Sequence, residues 1–171
     1  MTEEVLALYD ASGRPTGHGA ARSVVRRDNL RHATVAVLVR DPAGRLFVHR
    51  RTDDKDVYPG MHDAFVAGGV QLGETPEAAA RRELAEELGI VGVEPYALAV
   101  LRYADAVTDQ VAFVSEVTYG GPVTLQASEI AWGGWMEVAE LRRRLAAGDA
   151  VWPFVPDGRL LLEQVLPPGA G

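Results

Sequence analysis

The chain has 171 residues, of which 47% are hydrophobic and 24% charged, with no cysteine. Those proportions fit one ordinary globular domain rather than a disordered chain, and the lack of cysteine excludes a disulfide scaffold, a thiolate metal site and a cysteine nucleophile. With 24 acidic against 17 basic residues, the formal charge of −7 argues against a polymeric nucleic acid as the main partner. There is no basic and apolar leader, and no apolar run approaches the about 20 residues that span a bilayer. The expectation is a soluble protein of a reducing cytoplasm with no membrane partner. The sequence does not disclose its oligomeric state.

Taken in order, Val5 to Tyr9 reads as a strand and Asp10 to Gly17 as a turn-rich loop, followed by a short helix from Ala20 to Arg27. The apolar run Thr34 to Val39, the turn Asp41-Pro-Ala-Gly44 and the return Arg45 to His49 form a hairpin. Ala64 to Ala67 is a strand that enters a glycine loop. Beyond the helix that follows, strands are predicted at Tyr96 to Tyr103, Gln110 to Tyr119 and Ile130 to Met136. Helices are predicted from Glu137 to Ala147 and from Pro156 to Leu166, before Pro167-Pro168. The alternation suggests one mixed α/β domain over residues 1–171. Residues 1–30 form an N-terminal strand, loop and helix extension to a core at 31–166.

The segment GGVQLGETPEAAARRELAEELGI, Gly68 to Ile90, carries the chemistry. Thr75 is placed as N-cap with Pro76 at the first helical position, and Gly89 as a left-handed terminus. With Glu83 at zero on a helical wheel, Glu86 falls at about 300° and Glu87 at about 40°, so three carboxylates share one stripe. Like charges at this spacing repel. A hard cation such as Mg²⁺, which takes carboxylate and phosphate oxygens, reverses the sign. Leu84, Leu88, Ala85 and Ala78 make an apolar face, from which the carboxylates are expected to point away. Arg81 projects into that face at about 160° and would have to snorkel. A solvated acidic face is the plainer alternative, but Lys is absent from it and glycines precede it.

Gly68, Glu74, Arg82, Glu83, Leu84, Glu86, Glu87, Gly89 and Ile90 fill, without gap or substitution, the box of the Nudix hydrolases, which this chain therefore resembles. The resemblance implies an α/β/α sandwich around a central mixed sheet, and hydrolysis of a phosphoanhydride in a small phosphorylated substrate, with a nucleoside diphosphate linked to X as the family's substrate class. It implies that Glu83, Glu86 and Glu87 ligate Mg²⁺ or Mn²⁺, helped by the backbone carbonyl of Ala67. Glu83 or Glu86 is alternatively the base that activates water. Arg82 would orient Glu74 or Glu86, and Glu74 would brace the site or serve as an outer ligand. Glu129 lies where many relatives place a further acidic residue that reaches towards the metals, with a solvated loop carboxylate as the bland alternative.

Arg51, Lys55 and His62 fall in a polar loop before the box. Arg51 and Lys55 are candidates to grip substrate phosphates, against ordinary surface charges neutralised by Asp53, Asp54 and Asp56. Trp132 and Trp135 could stack a nucleobase but are more often core at this spacing. The same loop, Arg31-His-Ala33 and Gln71-Leu-Gly-Glu74 resemble isopentenyl diphosphate isomerase and its Nudix relatives. Isomerisation is thus a rival chemistry, but the matched positions of its cysteine, glutamate and metal-binding histidine fall at Ala67, about Gln110 and Gly69. A nucleotide-sensing module without catalysis is a second rival, which the intact box carboxylates disfavour.

Overall fold

The computed structural model describes residues 2–169. Among them the order is β1 (Val5–Tyr9), β2 (Pro15–Ala21), α1 (Arg22–Asp28), β3 (Arg31–Arg40), β4 (Leu46–Arg51), β5 (His62–Asp63) and β6 (Phe65–Gly69). There follow α2 (Pro76–Leu88), β7 (Tyr96–Ala104), β8 (Asp109–Thr118), β9 (Ile130–Met136), α3 (Val138–Ala147) and α4 (Pro156–Val165). The strands join one mixed sheet, in which β3 runs parallel to β8 and antiparallel to β6. No helix among the described residues is long and apolar enough to cross a membrane.

The strand β3 shows why the fold has three layers. It is buried along almost its whole length, and its side chains alternate between two cores. Ala36 and Leu38 pack with Leu141 of α3 and Leu161 and Leu162 of α4. Ala33, Val35, Val37 and Val39 pack with Ala79, Ala80, Leu84 and Leu88 of α2. Helices thus cover both faces of a mixed sheet, as the α/β/α expectation required. Leu84 and Leu88 are fully buried, and each contributes about 1.5–3 kcal/mol by burial.

Three expectations need correction. The stretch Asp10 to Gly17 is not all loop. Asp10 folds a tight turn by accepting from the N–H groups of Ser12 and Arg14 at 2.8 and 3.0 Å, and Pro15–Ala21 then returns as β2 beside β1. Its glycines and exposed side chains lack the apolar alternation that marks a strand, yet Gly19 lies so close to β1 that a Cβ there would meet Val5 Cγ1 at 2.7 Å. The two-residue β5 was also not foreseen. The expected β3–β4 hairpin turns at Asp41, but its ladder holds the pair Arg40–Leu46 before the arms part. β3 then lies between β6 and β8, while β4 lies between β5 and β9.

The third correction concerns α2. Glu83 and Glu87 do not point away from the core: they are 8% and 7% exposed, while Glu86 and Arg81 are exposed. The buried arc runs from Ala79 through Glu83, Glu87 and Ala80 to Leu84 and Leu88, so the carboxylate stripe adjoins the apolar face instead of opposing it. Arg81 does not snorkel but reaches outward to Glu94 at 2.9 Å.

Candidate active site

α2 begins and ends where its sequence specifies. Thr75 Oγ1 accepts from the N–H of Ala78 at 3.2 Å, Pro76 follows it, and Gly89 takes the left-handed φ of 67°. The Gly89 and Ile90 N–H groups close the last turn on Ala85 and Leu84. The helix packs against β6 and β3, which brings its carboxylates to a cleft of about 280 Å³.

Behind the cleft, Arg82 holds the box together. Its Nε and one terminal nitrogen donate to the two oxygens of Glu74 at 2.9 and 3.0 Å, and the same nitrogen reaches the Gly69 carbonyl at 2.9 Å. The other terminal nitrogen donates to Glu83 at 2.5 Å and approaches Glu86 at 3.4 Å. Glu74 also accepts from the N–H of Gln71 at 3.0 Å. Both Glu74 oxygens are therefore engaged, and neither Glu74 nor Arg82 lines the cleft. Glu83 in turn presses on Gly68, where a Cβ would stand 2.0 Å from its Oε1. That contact gives the first glycine of the box a physical reason.

Glu83, Glu86, Glu87, Ala67, Glu129, Arg51 and Lys55, all singled out by sequence, line this one cleft. Burial pushes the Glu83 carboxyl up against the pull of Arg82. Burial, and next the charge of Glu83, push Glu87 up to about 8. No side-chain hydrogen bond to Glu87 is formed among the described residues, so its charge lacks a bonded counter-group there. Lys55 is paired with Glu129, a contact between two candidates that the sequence assigned to different tasks. Burial, and then Arg51, draw Lys55 down to about 8. Arg51 donates twice to the Val57 carbonyl, at 3.2 and 2.9 Å, which anchors the loop that carries Lys55.

As they stand, no three His, Cys, Asp or Glu side chains among the described residues converge on one ion position. Glu83 is turned onto Arg82 and Glu129 onto Lys55. The donor types nevertheless suit a hard divalent ion: carboxylates and a backbone carbonyl, with a buried and unpartnered Glu87 that such an ion would neutralise.

The remaining aromatic and histidine candidates do not reach the cleft. His62 stacks on Trp152, with ring centroids 4.2 Å apart, and bonds the Pro153 carbonyl through Nδ1 at 2.9 Å. Trp135 packs edge-on against Phe47, and Trp132 lies against His62. Sequence reasoning missed Arg22 and Arg26 of α1, and Asp63 and Asp157, which also line the cleft. Asp63 is buried and faces Asp157, so burial first and that charge second push it up to about 7. Asp157 accepts from Gln110 Nε2 at 2.8 Å. Nothing local in the sequence marks these residues, because only the crossing of α1, β5, β8 and α4 brings them together.

Carboxylates, guanidinium groups and an ammonium group share the lining of one cleft, a combination suited to a small polyanion. Comparison with known proteins agrees. Residues 30–157 match the model of the NUDIX domain. The uncharacterized Nudix hydrolase orf19 of Rhodococcus erythropolis is 45% identical over 170 residues, covering 94% of this chain and 90% of the relative. The uncharacterized Nudix hydrolase SCO1686 of Streptomyces coelicolor is 43% identical over 158 residues, covering 91% and 84%. Among solved structures, DR0079 of Deinococcus radiodurans superposes with a TM-score of 0.78 at 26% identity, covering 95% of this chain and 99% of that one. The NUDIX domain of Shewanella oneidensis NrtR, complexed with ADP ribose, shares the fold with a TM-score of 0.62 at 17% identity, over 77% and 84% of the two chains. The chain belongs to the Nudix hydrolase family and is a pyrophosphohydrolase acting on acid anhydrides.

Proposed function

We propose that the protein hydrolyses a phosphoanhydride bond of a nucleoside diphosphate linked to X, with nucleoside di- or triphosphates first among them, in a reaction that depends on Mg²⁺ or Mn²⁺. The observation that carries this reading is the meeting of Glu83, Glu86 and Glu87 with Arg51 and Lys55 across one cleft. A divalent ion bound there supplies neutralisation of phosphate charge and a water of lowered pKa. Glu83, Glu86 and Glu87, with Glu129 and the Ala67 carbonyl, would hold it.

The chain's own residues account for the rest. Arg51 and Lys55 draw the phosphates into the cleft beside the carboxylates, which holds the scissile bond near them. Arg82, itself held by Glu74, fixes the rotamer of Glu83, which lines the cleft. Glu83 or Glu86 is alternatively the base that takes the proton of the attacking water. Isomerisation finds no such support. Ala67, Gly69 and Gln110 do line the cleft, but two have no polar side chain and Gln110 is tied to Asp157.

The test is a screen of nucleoside diphosphates, triphosphates and diphosphate-linked conjugates with Mg²⁺, with Mn²⁺ and with EDTA. Phosphate or pyrophosphate release that EDTA abolishes is the expected result. No metal-dependent release from any compound would overturn the reading. Deuterium uptake into isopentenyl diphosphate is expected to be absent.

A further inference from the structure

Two side chains of the cleft lining take no part in the hydrolysis described above. Asp63 of β5 and Gln110 of β8 are 5% and 6% exposed, and both line the cleft. They meet at the start of α4. Gly158 lies so close to Asp63 that a Cβ there would stand 2.8 Å from its Oδ1, and the neighbouring Asp157 accepts from Gln110 Nε2 at 2.8 Å. A carboxylate only accepts, so Asp157 fixes which way the Gln110 amide points: the nitrogen faces Asp157 and the oxygen is left over. Asp63 also has an oxygen to spare. Its Oδ1 accepts from the N–H of Phe65 at 3.0 Å, while Oδ2 takes no hydrogen bond among the described residues. Neither spare oxygen is sealed. Thr108 Oγ1, also in the lining, is a buried atom without a partner, whereas Asp63 Oδ2 and Gln110 Oε1 keep surface towards the cleft.

Two free acceptors on otherwise buried side chains point to a ligand that brings donors. Burial, and next the charge of Asp157, push the Asp63 carboxyl up to about 7, and a donor from a ligand would steady its charged form. A phosphate brings only further acceptors. A hydroxyl brings one donor together with lone pairs of its own, whereas an amino group on an aromatic ring brings two donors and no competing acceptor. Side-chain carboxylate and amide oxygens accept from such groups where proteins read the edges of cytosine and adenine. We propose that Asp63 Oδ2 and Gln110 Oε1 receive the ring amino group of a nucleobase, and so select bases that carry one over bases with a carbonyl at the same place. That the occupant is the base of a nucleotide rests on the hydrolase reading above. The pair of free acceptors does not.

Binding of α,β-methylene nucleoside diphosphates, which cannot be cleaved between those two phosphates, tests the site apart from turnover. By calorimetry with Mg²⁺, the wild type should bind the adenosine or the cytidine analogue at least about tenfold more tightly than its inosine or uridine counterpart. Asp63→Asn keeps an oxygen for Phe65 and turns an amide N–H towards the ligand, so the preference should move towards the carbonyl-bearing base. Gln110→Met, which removes the other acceptor, should lower the ratio about threefold. Thr108→Val, which removes a sealed hydroxyl, should keep the wild-type ratio. Equal binding within both pairs, or no binding of any of the four analogues, would overturn the proposal. So would a wild-type ratio in Asp63→Asn shown by circular dichroism to be folded, or in Gln110→Met if Asp63→Asn does not fold. A base preference that responds to these variants, without hydrolysis of any natural phosphoanhydride, would uphold the site and remove the hydrolase reading instead.

Discussion

The two walls of the cleft are built in opposite ways. The carboxylate wall comes largely from one helix and the loop that introduces it, Gly68 to Ile90, where Arg82 ties Glu83 to Glu74 while Glu87 takes no side-chain hydrogen bond among the described residues. The cationic wall is assembled from α1, the end of β4 and the loop after it: Arg22 holds Asp56 loosely, Arg51 holds a backbone carbonyl, and Lys55 is paired with Glu129. The first is suited to fixing reacting atoms within tight tolerances, which catalysis requires. The second is suited to capturing substrates of varied shape, so differences among substrates are expected to be decided away from the carboxylate wall.

If this contrast is right, damage to the carboxylate wall should lower turnover and damage to the cationic wall should raise KM. The largest effect is expected for Glu87→Gln, and a similar one for Glu86→Gln. Each should lower kcat by about 10²- to 10³-fold, the range seen when one group that stabilises developing charge is lost. Steady-state kinetics beside circular dichroism would check this, and full activity with unchanged metal dependence would remove either residue from the ligand set. Next come the braces. Arg82→Lys breaks the two-oxygen grip on Glu74, and Gly68→Ala forces Glu83 off its seat. Both should cost about 10- to 100-fold in activity or metal affinity, as loss of groups that orient ligands generally does. A loss seen only in KM for the nucleotide would contradict the division of labour.

This difference also explains what could be read from sequence. α2 with its caps, the strand β3 and the carboxylate set are local patterns, in which spacing along the chain equals spacing on an element. The cationic wall was legible in part: Arg51 and Lys55 stood out because they precede the box, whereas Arg22 and Arg26 sit in an unremarkable short helix. The inward turn of Glu83 and Glu87 was not legible. A wheel places side chains around an axis but does not say where the cleft opens, and here it opens at the edge of the buried arc. The same limit hid β2, whose glycines look like loop until the strand beside it is known.

A smaller effect is expected on the other wall. Lys55→Ala should raise KM about tenfold, the loss of roughly 1.4 kcal/mol of binding, with kcat changed less. It should also free Glu129 from its ion pair. Substrate saturation curves at fixed Mg²⁺ would show this, and a fall in kcat larger than the rise in KM would place Lys55 with the reacting groups.

The smallest expected effect is on stability, and it separates the walls by pH. Glu87 keeps its proton in the folded protein up to about 8, against an ordinary value of 4.5. Below the lower value both folded and unfolded chains hold the proton, and Glu87 contributes no penalty. Between the two values the unfolded chain releases the proton while the folded one retains it, so rising pH favours unfolding until the penalty is complete above about 8. Glu87→Gln is neutral throughout. In EDTA its melting temperature should therefore approach that of the wild type near pH 4.5 and exceed it increasingly towards pH 8. If Glu87 is a metal ligand as proposed, Mg²⁺ should stabilise the wild type more as pH rises, since below about 8 it must displace a proton. A difference in melting temperature that did not change with pH would mean that the Glu87 carboxylate is already ionised in the fold, with a counter-charge drawn from the cationic wall.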